Sequence, residues 1–382
     1  MENLARIPDY RARGQLSEHF DNALDLVLRS LSGSSGPHLL PTFRDRREDQ
    51  AGMTAQDELA RMIDLATPFA VRAAVTLRLP ELVDKGATAL PDLATAAGAD
   101  PDALRRLLAH LTSIGFLAEP EPGRYALTDV SRVLLRDDHA AARAWLDIEG
   151  PGAKMDLAYA GMAHSVRTGR SAYATVHGVP FWEDYSADEA LRVFFGQVMA
   201  VHAWQTGPVL AADVDWSADT RVLDVGGGIG ALLSDVLRGN PHLTGGVLDL
   251  PAVEPEATSA LRAAGLADRA EFVPGSFFDP LPAGYDTYVI SRVLTDWPDE
   301  DAQRILARAA EVVGDGRVLV VEVLAGAEHA KNNSSFDLQS LALLGGRERS
   351  VADFTVLAER AGFASATPRG WDGGLLVVEC RR

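Results

Sequence analysis

The sequence predicts an α/β fold in its C-terminal half, preceded by a smaller, mainly helical domain. Three observations predict this. Short apolar runs alternate with helical stretches from residue 206 onward, the pattern of a parallel sheet covered by helices on both faces. The first of those runs enters a glycine-rich turn. Between residues 51 and 135, helices are followed by two short strands around a Pro/Gly turn, a winged-helix pattern.

Residues 1–50 read as an N-terminal extension. Leu16, Phe20, Leu24, Val27, Leu28 and Leu31 suit one amphipathic helix, which Ser32-Gly33-Ser34-Ser35-Gly36-Pro37 breaks. It is either a loosely held arm or a helix that docks a partner or braces a dimer. In the 51–135 domain a helical pattern covers about 54–78, with Pro68 as a kink or break. Leu90-Pro91 opens a short helix. Asp100-Pro101 caps the next, which carries Leu104, Leu107, Leu108 and Leu111 at i, i+3, i+4 and i+7 and ends at Gly115. Phe116-Leu117 and Tyr125-Ala126-Leu127 flank the turn Glu119–Gly123 as the two-stranded wing. Residues 136–205 read as a helical linker. Its stripes, Tyr159, Met162 and Val166, then Phe195, Met199 and His202, are either core or the wall of a substrate pocket. In residues 206–382 the strands fall at Arg221–Val225, Leu243–Leu248, Ala270–Val273, Tyr285–Ile290 and Val318–Val323, with a helix at Asp301–Val313. Two last strands, near Ala364–Thr367 and Leu375–Glu379, leave little room between them and predict an antiparallel hairpin on the sheet edge.

Composition excludes several functions. The 382 residues carry a net charge of −18, which disfavours binding to a phosphate backbone or an anionic membrane. The wing helix offers only Arg105 and Arg106, so a packing role is favoured over a DNA-reading one. Cys380 is the single cysteine, so no intramolecular disulfide forms, and no Cys/His cluster has zinc spacing; a cytoplasmic setting fits. No apolar run is long enough to span a bilayer, and the N-terminus lacks the pattern of an export leader.

Val222-Leu223-Asp224-Val225-Gly226-Gly227-Gly228-Ile229-Gly230 carries the chemistry. Glycine lets backbone approach a ligand closely, and ligands of doubly wound sheets bind beyond the carboxyl ends of the strands. Nineteen residues past Gly230, Asp249 ends the second strand, where an acid can hold a ribose diol. The spacing G-x-G-x-G departs from the dinucleotide G-x-G-x-x-G, and no Lys-Ser/Thr of a P-loop follows. Asp224 would repel a pyrophosphate but suits a cation. S-adenosylmethionine, with a sulfonium and an ammonium, is therefore favoured over NAD.

Further motifs follow in order: Gly275-Ser276-Phe277-Phe278-Asp279-Pro280, Ser291-Arg292-Val293-Leu294-Thr295-Asp296-Trp297-Pro298, Glu322, and Gly345-Gly346-Arg347-Glu348-Arg349. With these the chain, from about residue 55 on, resembles the S-adenosylmethionine-dependent O-methyltransferases of the caffeate/hydroxyneurosporene type, most closely the bacterial enzymes that tailor aromatic polyketides. The resemblance implies a winged-helix dimerisation domain, a Rossmann-like seven-stranded methyltransferase domain and a homodimer. It implies that Gly226, Gly228 and Gly230 bound the methionyl and ribose portions and that Asp249, with Leu250 beside it, holds the ribose hydroxyls. Ser276 and Phe277 would lie by the adenine, Ser291 and Arg292 at the methionine end, and Trp297 beneath the cofactor. Family members commonly have Asp where Ser276 stands.

The larger departure is Thr295, where many members place a histidine that removes the phenol proton; bacterial polyketide-tailoring relatives often lack it. Asp296, Glu322 and Glu348 match the family's acids. Asp296 reads as a structural hydrogen-bonder, and His202 or His164 as a substitute base or an ordinary core histidine. Gln339 joins Met162, His164, Phe195 and Met199 as a candidate for contact with substrate. Positioning of the two reactants can supply ~7–11 kcal/mol, against about 10²–10⁴-fold from a general base. The expected reaction is therefore methylation of an acidic aromatic hydroxyl, mainly by proximity and orientation. The competing readings are the same fold and cofactor in hydroxylation, decarboxylation or rearrangement, a non-catalytic winged-helix regulator, and an NAD dehydrogenase.

Overall fold

The computed structural model describes residues 54–136, 140–323, 334–370 and 375–382. The amphipathic helix expected in the first 50 residues lies outside them. The chain forms two compact units, Met1–Lys154 and Met155–Arg382.

In the first unit the helical pattern expected over 54–78 is two helices, Ala55–Met62 and Ala66–Thr76. The break precedes Pro68. Asp64 turns its carboxylate onto the N–H groups of Ala66 and Thr67 and caps the second helix, and Pro68 sits in that helix's first turn, where its missing N–H costs nothing. Helices Leu79–Asp84 and Leu90–Ala97 follow. Asp100 caps helix Pro101–Ser113 through the N–H of Ala103 at 2.8 Å, and Leu104, Leu108 and Leu111 are buried along its inner face. Strands β1 (Leu117–Glu121) and β2 (Arg124–Leu127) pair antiparallel, so the expected turn shrinks to Pro122-Gly123. Arg105 and Arg106 both pair with Asp102 on their own helix.

The second unit holds a seven-stranded sheet in the order β5-β4-β3-β6-β7-β9-β8. Its strands are β3 (Arg221–Val225), β4 (Thr244–Asp249), β5 (Ala270–Pro274), β6 (Thr287–Ser291), β7 (Arg317–Val323), β8 (Ser365–Gly370) and β9 (Leu375–Arg381). β3 to β7 run parallel, while β9 is antiparallel to both β7 and β8. The expected hairpin is present, with β9 inside and β8 on the edge. Val222, Val289 and Leu319 pack on one face, and Leu223, Tyr288 and Val320 on the other. Burial of both faces explains why these strands read as continuous apolar runs. The chain order reverses between β3 and β6, opening a crevice beyond their carboxyl ends. Residues 155–205, expected as part of the 136–205 linker, fold within this unit; the 25-residue helix Glu189–Asp213 packs along helix Ala231–Gly239. Among the described residues no helix is long and apolar enough to cross a membrane.

Candidate active site

The crevice is a cavity of about 260 Å³. Its floor is the turn after β3. Gly226, Gly228 and Gly230 have φ of 73°, 56° and 78°, left-handed backbone that only glycine adopts freely. Close packing adds to this at two of them. A Cβ on Gly226 would stand 2.7 Å from Val293, and one on Gly230 3.0 Å from both Val247 and Leu261. A Cβ on Gly228 would meet nothing within 4 Å, so here the backbone itself lies open to a ligand.

Two buried acids hold this turn. Asp249 accepts the N–H of Gly228 and that of Leu250, each at 2.7 Å, and burial pushes its carboxyl up. Asp224 is 1% exposed and its Oδ2 has no hydrogen-bond partner. Burial, and then the neighbouring Asp249, push it up to about 7. An uncompensated buried carboxylate of this kind is stabilised by a bound cation.

The walls are aromatic. Trp182 and Tyr185 come from helix Phe181–Ala187, and Phe195 and Met199 from helix Glu189–Asp213. Trp182 lies nearly parallel to Trp297, at 15° and 6.0 Å between ring centres, while Phe277 and Phe278 meet Trp297 edge-on. The Nε1 of Trp297 is buried and unpartnered.

Beyond β6 the chain passes through Arg292, a non-glycine residue at φ 55°. Its guanidinium pairs with the fully buried Glu322 at 3.5 Å and lies 5.5 Å from the Phe336 ring centre. Glu322 also accepts the N–H of Leu294 at 3.2 Å, and burial pushes it up to about 8 despite Arg292. Asp296 is pushed up to about 7 by burial, with Arg292 opposing, and Glu348 is raised by burial as well.

Segment 345–349 fits against segment 294–299 like a mould. A Cβ on Gly346 would fall 1.9 Å from the Thr295 carbonyl oxygen, and the Arg347 N–H donates to that oxygen at 3.0 Å. The buried Arg349 donates to the carbonyls of Leu294 and Trp297 and to the Asp299 carboxylate.

All the cofactor residues expected from the sequence line this cavity except Gly230, which serves helix–sheet packing: Asp224, Gly226, Gly228, Asp249, Leu250, Ser276, Phe277, Ser291, Arg292 and Trp297. Of the expected substrate contacts, Phe195 and Met199 line it; Met162, His164 and Gln339 do not, and the Gln339 amide donates to Asp156 at 3.0 Å. Of the expected catalytic residues, Asp296 lines it. Thr295 is 2% exposed and, like the buried Glu322 and the partly exposed Glu348, is not among the lining residues. The side chain of His202 lies outside the described residues. Trp182, Tyr185 and Phe278 were missed; their signal was the aromatic run Phe181-Trp182 with Tyr185 one helical turn on, and the second ring of Phe277-Phe278. No group of three metal-ligating side chains forms among the described residues.

Residues 159–364 match the O-methyltransferase domain and residues 60–137 the O-methyltransferase dimerisation domain. The chain is 45% identical over 308 residues to 2,7-dihydroxy-5-methyl-1-naphthoate 7-O-methyltransferase of Streptomyces carzinostaticus, covering 80% of this chain and 92% of that one. It is 39% identical over 345 residues to an aclacinomycin 10-hydroxylase of Streptomyces purpurascens, covering 88% and 90%. A similar solved structure is an O-methyltransferase from neocarzinostatin biosynthesis in complex with S-adenosylmethionine and 2-hydroxy-5-methyl naphthoic acid, at 42% identity and a TM-score of 0.76, covering 87% and 99%. Glycine turn, spaced acid and sheet order thus coincide with a sequence match over more than half the chain, and the protein belongs to the O-methyltransferase family.

Proposed function

We propose that the protein transfers a methyl group from S-adenosylmethionine to a hydroxyl, phenolic in character, of a polycyclic aromatic small molecule, and that it works as a homodimer built on its N-terminal unit. The observation that carries this is the unpartnered Asp224 oxygen beside a glycine turn whose open position, Gly228, is braced by Asp249. That donor set suits a cationic nucleoside. Asp249 would hold the ribose hydroxyls, the bare turn the methionyl portion, and Asp224 the positive charge. When bound, S-adenosylmethionine supplies a methyl group already activated by its sulfonium.

The remaining work belongs to the chain. Trp182, Phe195, Phe277 and Trp297 form walls that exclude water and suit a flat ring system. Orientation in such a slot can contribute ~7–11 kcal/mol. An ordinary phenol has a pKa of about 10, and one conjugated to a carbonyl ionises more readily. The relative named for a dihydroxynaphthoate supports an acceptor of that class. The exposed apolar residues of helix Ala55–Met62, within a chain that matches a dimerisation domain, support the homodimer. The single, buried Cys380 fits a reducing cytoplasmic setting.

Incubation with methyl-labelled S-adenosylmethionine and a dihydroxynaphthoate tests the reaction. Label is expected in the product, with S-adenosylhomocysteine formed in equal amount. A changed but unlabelled acceptor would instead assign the non-methylating chemistry that a hydroxylase relative represents.

A further inference from the structure

We propose that Asp296 takes the proton from the acceptor hydroxyl, at a site where the neighbouring position 295 offers only a threonine. This rests on the methyl-transfer reading above. Thr295 has no group able to accept a proton near neutrality, and it is buried outside the cavity lining. The ionisable groups that line the cavity are few. Asp224 and Asp249 belong to the glycine turn, and Asp249 is engaged by two N–H groups. Arg292 is a cation, and burial holds the Tyr185 hydroxyl protonated. Asp296 is the one carboxyl of the lining that stands on the β6 side.

The sequence alone suggested a structural hydrogen-bonder here. The structure differs: among the described residues the Asp296 carboxylate makes no hydrogen bond, while its backbone is held rigidly. The Asp296 N–H donates to the Val293 carbonyl at 3.1 Å, Gly346 packs against its Cα with no room for a Cβ, and Arg349 grips the carbonyls on either side, Leu294 and Trp297. A carboxylate with a fixed backbone and free oxygens is what a general base requires. The charges around it balance. Arg292 at the end of β6 favours the ionised form, Glu348 after helix Ser334–Leu344 opposes it, and Glu322 on β7 stands behind, tied to Arg292 and the Leu294 N–H. With burial, the result is a carboxyl near neutrality, the range in which a base works best.

The step balances. The hydroxyl proton passes to Asp296, and an oxygen electron pair forms the new bond to the methyl carbon. The carbon–sulfur pair stays on sulfur. A carboxylate and a sulfonium become a carboxylic acid and a thioether, both neutral, and Asp296 then returns its proton to water.

Asp296→Asn keeps the shape and removes the base. Its kcat at pH 7 is expected to fall about 10²-fold or more and to recover as pH rises towards the acceptor's own ionisation, where no base is needed. The acid limb of the wild-type kcat profile, centred near 7, should vanish, while calorimetric affinity for S-adenosylhomocysteine stays unchanged. Asp296→Ala gives an independent reading, since added formate should restore its rate. A kcat equal to wild type, a loss that is the same at every pH, or an Ala variant that formate does not rescue overturns the inference. Wild-type protein that transfers label beside an equally active Asn variant sinks this inference alone. Wild-type protein that transfers none sinks the methyl-transfer reading and this inference with it.

Discussion

Asp224 shows how one side chain can tie ligand charge to pH. Its carboxyl sits buried near the carboxyl end of β3 with one oxygen unpartnered, so in the unliganded protein it stays protonated up to about 7. A cation placed beside it favours the ionised form, so binding releases a proton. Affinity for S-adenosylmethionine should therefore rise with pH through 7, by about tenfold from pH 6 to pH 8, following the ionised fraction. Asp224→Asn should flatten that dependence. Calorimetry at several pH values checks both, and a pH-independent wild type would show that Asp224 does not face the charge. The glycines act on the same scale. Gly228 and Gly230 share a motif, but one is bare towards the cavity and the other lies under Leu261, a division of labour the spacing alone does not reveal.

At the scale of elements, the site depends on two segments that are distant in sequence. The short turn Leu294–Asp296 carries Asp296 and leads into Trp297, and its shape is set by Gly346, Arg347 and Arg349 some fifty positions on. Gly346→Ala would push a methyl group into the Thr295 carbonyl, a backbone atom that cannot swing away. The expected cost is about 1–3 kcal/mol, as for overpacking elsewhere, together with a changed Trp297 emission. Thermal unfolding and fluorescence measure the two, and a variant as stable as wild type would show that the segments are not clamped. The buried Arg317 is satisfied rather than poised. Arg317 donates to Thr287, to Asp219 and to the Asp215 carbonyl and lies over Trp216, a structural role remote from the crevice.

For the molecule as a whole, sheet order decides where a ligand goes, and the proposed homodimer rests on the helical N-terminal unit. Helix Ala55–Met62 buries none of its residues, and Leu59, Met62, Ile63 and Leu65 are 58%, 69%, 68% and 72% exposed. Four exposed large apolar side chains within seven residues are a concentration of the kind that marks an interface. The double variant Leu59→Glu, Met62→Glu is expected to sediment as a monomer. One that remains dimeric would move the interface elsewhere.

Much of this was legible beforehand because it is local. Apolar runs alternating with helical stretches placed the five parallel strands to within a residue or two, and the strand–turn–helix around Gly226 to Gly230 with Asp249 nineteen positions on located the ligand crevice. Side-chain period fixes which face of a helix is apolar, but not the partner it packs on. Met162 and Gln339 therefore read as pocket wall yet stand outside the cavity lining, while Trp182 and Tyr185 went unnoticed and line it. By itself the sequence determined the sheet, the glycine turn and the charge of the ligand, each set by neighbours a few positions apart. Only the tertiary structure decided which of the carboxyls Asp296, Glu322 and Glu348 lines the cavity. That depends on how segment 345–349 packs on segment 294–299, and contact between distant segments leaves no periodic trace in the chain.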